Sequence, residues 1–315
     1  MFEIADKRIW VCGHNGMVGR AVIRALHEYN CDVLTVERQE LDLTRQQNVE
    51  DWMEKTKPDA VIICAAKVGG ILANDTFPAD FIYQNMIIET NIIHASYLCN
   101  VTKLIFLGSS CIYPKLADQP IKEEALLSGD LEQTNQWYAT AKIAGIKLCQ
   151  AYRKQHGCDF ISVMPTNLYG PHDNFDLDTS HVIPALIRKA HEAKSNEAST
   201  MTIWGSGKPF REFMHVDDCA SGILFLLEHY SDFLHVNLGT GKDITIYDLA
   251  LNIKQAVGFH GDIVCDLSKP DGTFRKCLDV SLLNNLGWQS KINFKDGLRE
   301  TVNWFNKYVA EQSKF

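Results

Sequence analysis

Short, wholly apolar runs alternate along the chain with longer stretches whose apolar residues recur every three or four positions. "RIWVCG" (8–13), "CDVLTVE" (31–37), "DAVIICAA" (59–66) and "KLIFLGS" (103–109) have the length and continuity of buried strands. "CDFISVMPTNLYGP" (158–171) reads as another strand running on into a loop. Between them, residues 17–30 put Val18, Val22, Ala25 and Leu26 on one helical face. Residues 46–56 form a second helix, and 78–100 and 137–157 are long ones, the last closing at Gly157. Strands that are apolar throughout, each followed by a helix, predict a doubly wound parallel sheet covered on both faces. Such a sheet takes its ligands beyond the carboxyl ends of its strands.

After about residue 165 the pattern loosens. Pro, Gly and charged residues crowd into "GPHDNFDLDTSH", "WGSGKPFREF" and "SKPDGTFRK". We read residues 1–165 as the sheet domain, with a returning segment near 215–240 that includes "FLHVNLG" (233–239). Residues 166–214 and 241–315 form a smaller C-terminal α/β lobe for the substrate.

Composition narrows the class. The formal charge of −8 carries no basic block, so a nucleic-acid partner is excluded. The longest apolar runs are far too short to span a bilayer, which excludes a membrane segment. "MFEIADKRIWVCGHNG" reads as a first strand and not as a secretion signal. Ten cysteines stand singly with no C-x-x-C pair, a pattern that fits free thiols in a reducing cytoplasm.

The chemistry starts after the first strand. Gly13-His14-Asn15-Gly16-Met17-Val18-Gly19 is a G-x-x-G-x-x-G loop between a strand and a helix. Glycines there permit a tight turn, close backbone approach and helix–strand packing, and the helix N-terminus faces a pyrophosphate. The position makes this a Rossmann-type dinucleotide site. The end of the second strand is ambiguous: Glu37 suits a ribose 2′-hydroxyl and NAD, whereas Arg38 suits a 2′-phosphate and tilts the reading to NADP.

Tyr138 and Lys142 make the chain's one Y-x-x-x-K. On a helix they share a face, and a lysine cation beside a phenol is expected to lower the phenol's pKa. Their helix follows the strand that ends in Ser109-Ser110, where a serine hydroxyl is placed to reach a substrate carbonyl beside the tyrosine. Cys111, one step further, is either a small core residue or a proton-transfer group. His172, His181 and His215 all lie in loop-like segments, and His215 is expected to precede a helix capped by Asp217 or Asp218.

Glycine loop, strand-end serine and Y-x-x-x-K, in that order, resemble the extended short-chain dehydrogenase/reductase family over essentially the whole chain. "AAKVGGILAN", "LGSSCIYPK", "MPTNLYGPHDNF" and "WGSGKPFREFMHVDD" are similar to its members that epimerise and reduce a GDP-4-keto-6-deoxy sugar. The resemblance implies a reductase set of Ser109, Tyr138 and Lys142, and an epimerisation pair of Cys111 as base and His181 as acid. It implies NADP(H) contacts from the glycine loop, Arg38, Leu107, Gly108, Ser109, Ser110, Lys142, Pro165, Thr166, Asn167, Leu168 and His181. It implies contacts to the GDP-sugar from Lys189, Trp204, Arg211 and Asp271. A dehydratase of the family would carry an acidic pair where this chain has Ser110 and Cys111. The wide apolar faces of helices 78–100 and 137–156 suit either core packing or a homodimer built on a four-helix bundle.

Overall fold

A computed structural model describes residues 2–177, 179–269 and 271–312. The chain runs β1 (Arg8–Cys12), α1 (Met17–Leu26), β2 (Asp32–Leu34), α2 (Gln46–Thr56), β3 (Ala60–Ile63), α3 (Ile71–Thr76), α4 (Pro78–Leu98) and β4 (Lys103–Leu107). It continues with α5 (Gln136–His156), β5 (Asp159–Pro165), β6 (Asn167–Tyr169), α6 (Val182–Ser195), β7 (Thr200–Trp204), β8 (Phe210–His215) and α7 (Val216–His229). The last elements are β9 (Val236–Leu238), β10 (Asp243–Thr245), α8 (Ile246–Val257), β11 (Asp262–Asp266), β12 (Arg275–Lys276), α9 (Ser281–Leu286) and α10 (Phe294–Gln312).

Six strands form one parallel sheet in the order β2-β1-β3-β4-β5-β9. The continuous apolar runs are explained by burial on both faces. Ile9 and Val11 point into one core with α1 and α7, while Trp10 and Cys12 point into another with α2, α4 and α5. Leu104 and Phe106 alternate with Ile105 and Leu107 in the same way. Leu283 and Trp288, far along the chain, also join the α1/α7 core. The chain order reverses between β1 and β3, so the open switch point lies at the carboxyl end of β1, where the glycine loop begins.

The lobe has its own core of Ile183, Ile187, Ile203, Phe213 and Ile253, among others. β8 is its spine: it pairs with β10, β12 and β6. The stretch expected to run from β5 into a loop instead leaves the sheet at Thr166 and becomes β6, which follows β8. One strand end thus feeds both the sheet and the lobe. Glu212 on β8 ties the join, accepting from the backbone amides of Thr240, Gly241 and Leu278. All ten cysteines are free. Among the described residues no helix is long and apolar enough to cross a membrane.

Candidate active site

A cavity of about 1430 Å³ opens between the carboxyl edge of the sheet and the lobe. Apart from Glu37, every residue singled out above as a cofactor, catalytic or substrate contact lines it, from Gly13 to Asp271.

The glycine loop fits an anion. Gly13 has φ 81°, and a Cβ there would stand 2.7 Å from the Ala65 backbone beyond β3. A Cβ on Gly19 would collide with the carbonyl oxygen of Gly13. Gly16 N-caps α1 with no side-chain cap, and no acid sits in the first turn. The positive end of the helix is therefore left to a phosphate. Glu37 resolves part of the ambiguity after β2. It accepts from Asn15 Nδ2 at 2.9 Å and lies 3.1 Å from His14 Nε2, and these bonds hold its carboxyl below the ordinary range. Glu37 is thus committed to the glycine loop, while Arg38 lines the cavity.

β4 delivers Ser109 to the cavity. Ser109 N-caps a short 3-10 turn, its Oγ accepting from the Cys111 amide at 3.3 Å, so its own proton stays available to donate. Tyr138 and Lys142 lie one turn apart on α5. Lys142 Nζ is 5.8 Å from the centroid of the Tyr138 ring and 4.6 Å from that of Phe106. Glu89 on α4 brings Oε2 to 3.8 Å from the same nitrogen.

The expected lowering of the phenol's pKa is reversed here. Burial, then the charges of Cys111 and Glu89, hold Tyr138 well above its ordinary value. Lys142 is itself pulled down by burial and held up chiefly by Glu89. The phenol stays protonated, which is the form that can donate to an oxygen.

Cys111 is buried, and burial pushes its thiol up against the opposing pull of Lys276, Ser109 and Lys142. His181 occupies the N-cap position of α6, yet its ring makes no capping bond and lines the cavity. Surrounding protein, then Lys276, lowers its pKa. At neutral pH the pair is therefore a thiol and a neutral imidazole. Cys111 as base and His181 as acid require one proton to leave the sulfur and one to reach the ring first.

Of the rival histidines, His172 also lines the cavity, whereas His215 does not. His172 packs its ring on Trp304 with centroids 4.9 Å apart. His215 corrects the expected cap: it N-caps α7 itself, Nδ1 accepting from the Asp217 amide at 3.3 Å. Asp217 and Asp218 lie inside the first turn, and Asp218 accepts from the amides of Lys291 and Ile292.

At the lobe end, Trp204 is 51% exposed, with Lys189 Nζ 5.0 Å and Lys269 Nζ 5.3 Å from its ring centroid. Arg211 is held by the carbonyl of its neighbour Phe210. The carboxylate of Asp271 accepts from the Ser206 amide and hydroxyl at 2.6 and 2.8 Å, fixing the turn after β7.

A profile described as the NAD dependent epimerase/dehydratase family matches residues 9–239, which run from the first strand through the last strand of the sheet. The chain belongs to the NAD dependent epimerase/dehydratase family. This bears out the resemblance read from its motifs. Among relatives of this epimerase/dehydratase chain, a GDP-L-fucose synthase of Sinorhizobium fredii is 59% identical over 99% of both chains. GDP-L-fucose synthase 1 of Arabidopsis thaliana is 56% identical, covering 98% of this chain and 97% of its own. A solved GDP-L-fucose synthetase of Naegleria fowleri bound to NADP superposes with a TM-score of 0.91 at 30% identity, covering 98% of this chain and 97% of that one.

Two cavity neighbours of this family member escaped the sequence reading. Lys276 sits in a two-residue strand whose register sets it beside Arg211. Glu89 lies in the middle of α4, in a stretch that reads simply as apolar helix. Only strand pairing and helix packing bring either to the site, so no local spacing signals them.

Proposed function

We propose that the chain is a GDP-L-fucose synthase: an NADPH-dependent enzyme that epimerises GDP-4-keto-6-deoxy-D-mannose at C3 and C5 and reduces it at C4. The observation that carries this reading is the meeting of three groups in one cavity. These are the glycine loop with Arg38, the reductase set of Ser109, Tyr138 and Lys142, and the pair of Cys111 and His181. Relatives of that name, 56–59% identical over nearly the full chain, support it.

Residues 1–165 and the returning segment hold NADP(H), and the lobe holds the GDP-sugar. The bound cofactor supplies a hydride for C4. The glycine loop and the α1 N-terminus hold the pyrophosphate, Arg38 the 2′-phosphate, and Lys142 the nicotinamide ribose. Leu107 to Ser110 and Pro165 to Leu168 wall the nicotinamide end. Trp204 offers an open aromatic face, and Lys189 and Arg211 offer cations to the nucleotide and diphosphate.

The C3 and C5 hydrogens are acidic because the carbanion delocalises into the C4 carbonyl. Ser109 and Tyr138 donate hydrogen bonds to that oxygen and stabilise the enolate. Cys111 removes the protons, and His181 returns them from the opposite face. Tyr138 then gives its proton to the C4 oxygen during reduction. The enzyme works in the reducing cytoplasm as a homodimer, with α4 and α5 of each subunit forming a four-helix bundle. Tyr83 and Leu98, exposed on α4, support that packing.

The deciding assay follows NADPH absorbance after the keto-sugar is added, with identification of the product. Oxidation of NADPH and recovery of GDP-L-fucose are expected; no loss of absorbance refutes the reading. Lys276 has a separate consequence. Its charge opposes the burial of Cys111, so Lys276→Met raises the thiol's pKa further. Alkylation of Cys111 by iodoacetamide at pH 7 should slow about tenfold, the change in thiolate produced by a shift of about one unit. An unchanged rate would show that the ammonium does not govern the thiol.

A further inference from the structure

Glu89 is 1% exposed, and neither of its carboxylate oxygens has a hydrogen-bond partner. The other buried carboxylates of the sheet and lobe are tied differently. Glu212 accepts from three backbone amides, and Asp218 from two. Those bonds satisfy a buried anion and give it a structural purpose. Glu89 has only the Gly145 amide facing it, outside hydrogen-bond geometry. What it has is Lys142, 3% exposed along its side chain, with Nζ 3.8 Å from Oε2. Among the described residues it is the one carboxylate within ion-pair distance of that lysine.

The packing of α4 on α5 leaves room for this pair and little else. Gly145 follows Lys142 by three residues. A Cβ there would stand 3.0 Å from Glu89 Cδ and would collide with the Phe106 ring. A glycine at that point of α5 therefore leaves room for the carboxyl group beside the lysine. A pair buried merely for stability gains little, because desolvation offsets the attraction. A pair that fixes one partner's charge has a different use.

We propose that Glu89 is a positioning residue for the reduction: its buried carboxylate is the counter-charge that keeps Lys142 an ammonium beside Tyr138. This rests on the reductase reading of Tyr138 and Lys142 given above. When Tyr138 yields its proton to the C4 oxygen it becomes an anion in a buried place, and a neighbouring cation stabilises that anion. Lys142 can be that cation only if it is charged at working pH, and burial alone would discharge it. The groups facing the pair act in known directions. Glu89 holds Lys142 up, and Cys111 and Cys64 do so less strongly. Burial raises Glu89 to about 7 against the opposing pull of Lys142 and the Gly145 amide, so each partner sustains the other's charge. Glu89 also faces Cys149 and Tyr138 on α5 and raises both. Removing its charge therefore takes away the main support of the ammonium.

The test begins in the cofactor-free protein. NMR of lysine labelled at the ε position follows the Lys142 titration, assigned by its loss in Lys142→Met. In Glu89→Gln the Lys142 midpoint should fall by about one unit or more, and in Glu89→Asp it should return toward wild type. Should Glu89→Gln fail to fold, Glu89→Met, which buries no polar atom, gives the same comparison. With substrate and NADPH, the alkaline limb of kcat should move down by the same amount. The rate should fall about tenfold above the new limb and stay near wild type below it, with little change in KM for NADPH. A Lys142 midpoint unmoved in Glu89→Gln and Glu89→Met overturns the proposal, as does an equal loss of rate at every pH. Failure of the wild-type protein to turn over the keto-sugar would sink the reductase reading instead, and the NMR titration would still decide the role of Glu89.

Discussion

Tyr138→Phe loses reduction by about 10³-fold, a typical contribution of a positioned general acid, while NADPH still binds. The ring is held by packing, standing edge-on to Phe81 with centroids 6.4 Å apart, and phenylalanine keeps that contact. What disappears is the proton that Tyr138 transfers to the C4 oxygen. Ser109 cannot replace it in full, because a serine left without its proton is far less stable than a phenolate. Ser109 still donates to the carbonyl, so proton exchange at C3 and C5 should fall much less than hydride transfer. Stopped-flow NADPH oxidation, together with fluorescence titration of NADPH, separates these effects. Reduction within tenfold of wild type would remove Tyr138 from the role of acid. The direction of its pKa strengthens the expectation. Burial keeps the phenol protonated through neutral pH, so the acid is loaded before each turnover and not partly spent.

That direction is also where local reading stopped. Tyr138 and Lys142 were legible as a pair because four residues make one helical turn, and the spacing alone puts them on one face. Their electrostatics were not, because the strongest effect on the phenol is enclosure by distant segments, and the strongest anion near the lysine is Glu89 from another helix. The strands were legible for the same reason as the motif. Ile9 to Cys12 are apolar without interruption because helices cover both faces, and that pattern survives in one dimension. The boundary at Thr166 was not. A strand that leaves one sheet and enters another shows no change of period, and the β8 partners of β6 lie 46 residues further on, Phe213 opposite Asn167. His215 failed similarly: acids in a first turn are common caps, yet the helix started earlier, at His215 rather than Asp217 or Asp218, and used the imidazole. Lys276 was hidden because a two-residue strand has no periodicity at all.

Cys111→Ser is expected to abolish the wash-in of solvent deuterium at C3 and C5, by about 10³-fold or more, the scale on which general bases act. A keto-sugar already inverted at both carbons should still be reduced. The exchange of sulfur for oxygen scarcely changes shape, so the Ser109 cap and the turn over Ser110–Ile112 should persist. What changes is acidity: an alcohol has no accessible anion near neutral pH, whereas a thiol has one (reference about 8.5). The environment fixes the sign of the pH dependence. Cys111 is raised by burial, and its base form is the thiolate, so wild-type exchange at neutral pH lies on a rising limb and quickens as pH climbs. Lys276 sets where that limb lies, and Lys276→Met should move it to higher pH without abolishing exchange. His181 bends the profile from the other side. Its pKa is lowered by enclosure, so the imidazolium that returns a proton becomes scarcer over the same range. The two opposing dependences predict a bell whose height is small and whose flanks belong to different residues. In Cys111→Ser the whole bell should vanish for exchange, while the pH profile for reducing the inverted sugar stays in place. Undiminished deuterium wash-in in that variant would assign the base elsewhere in the cavity.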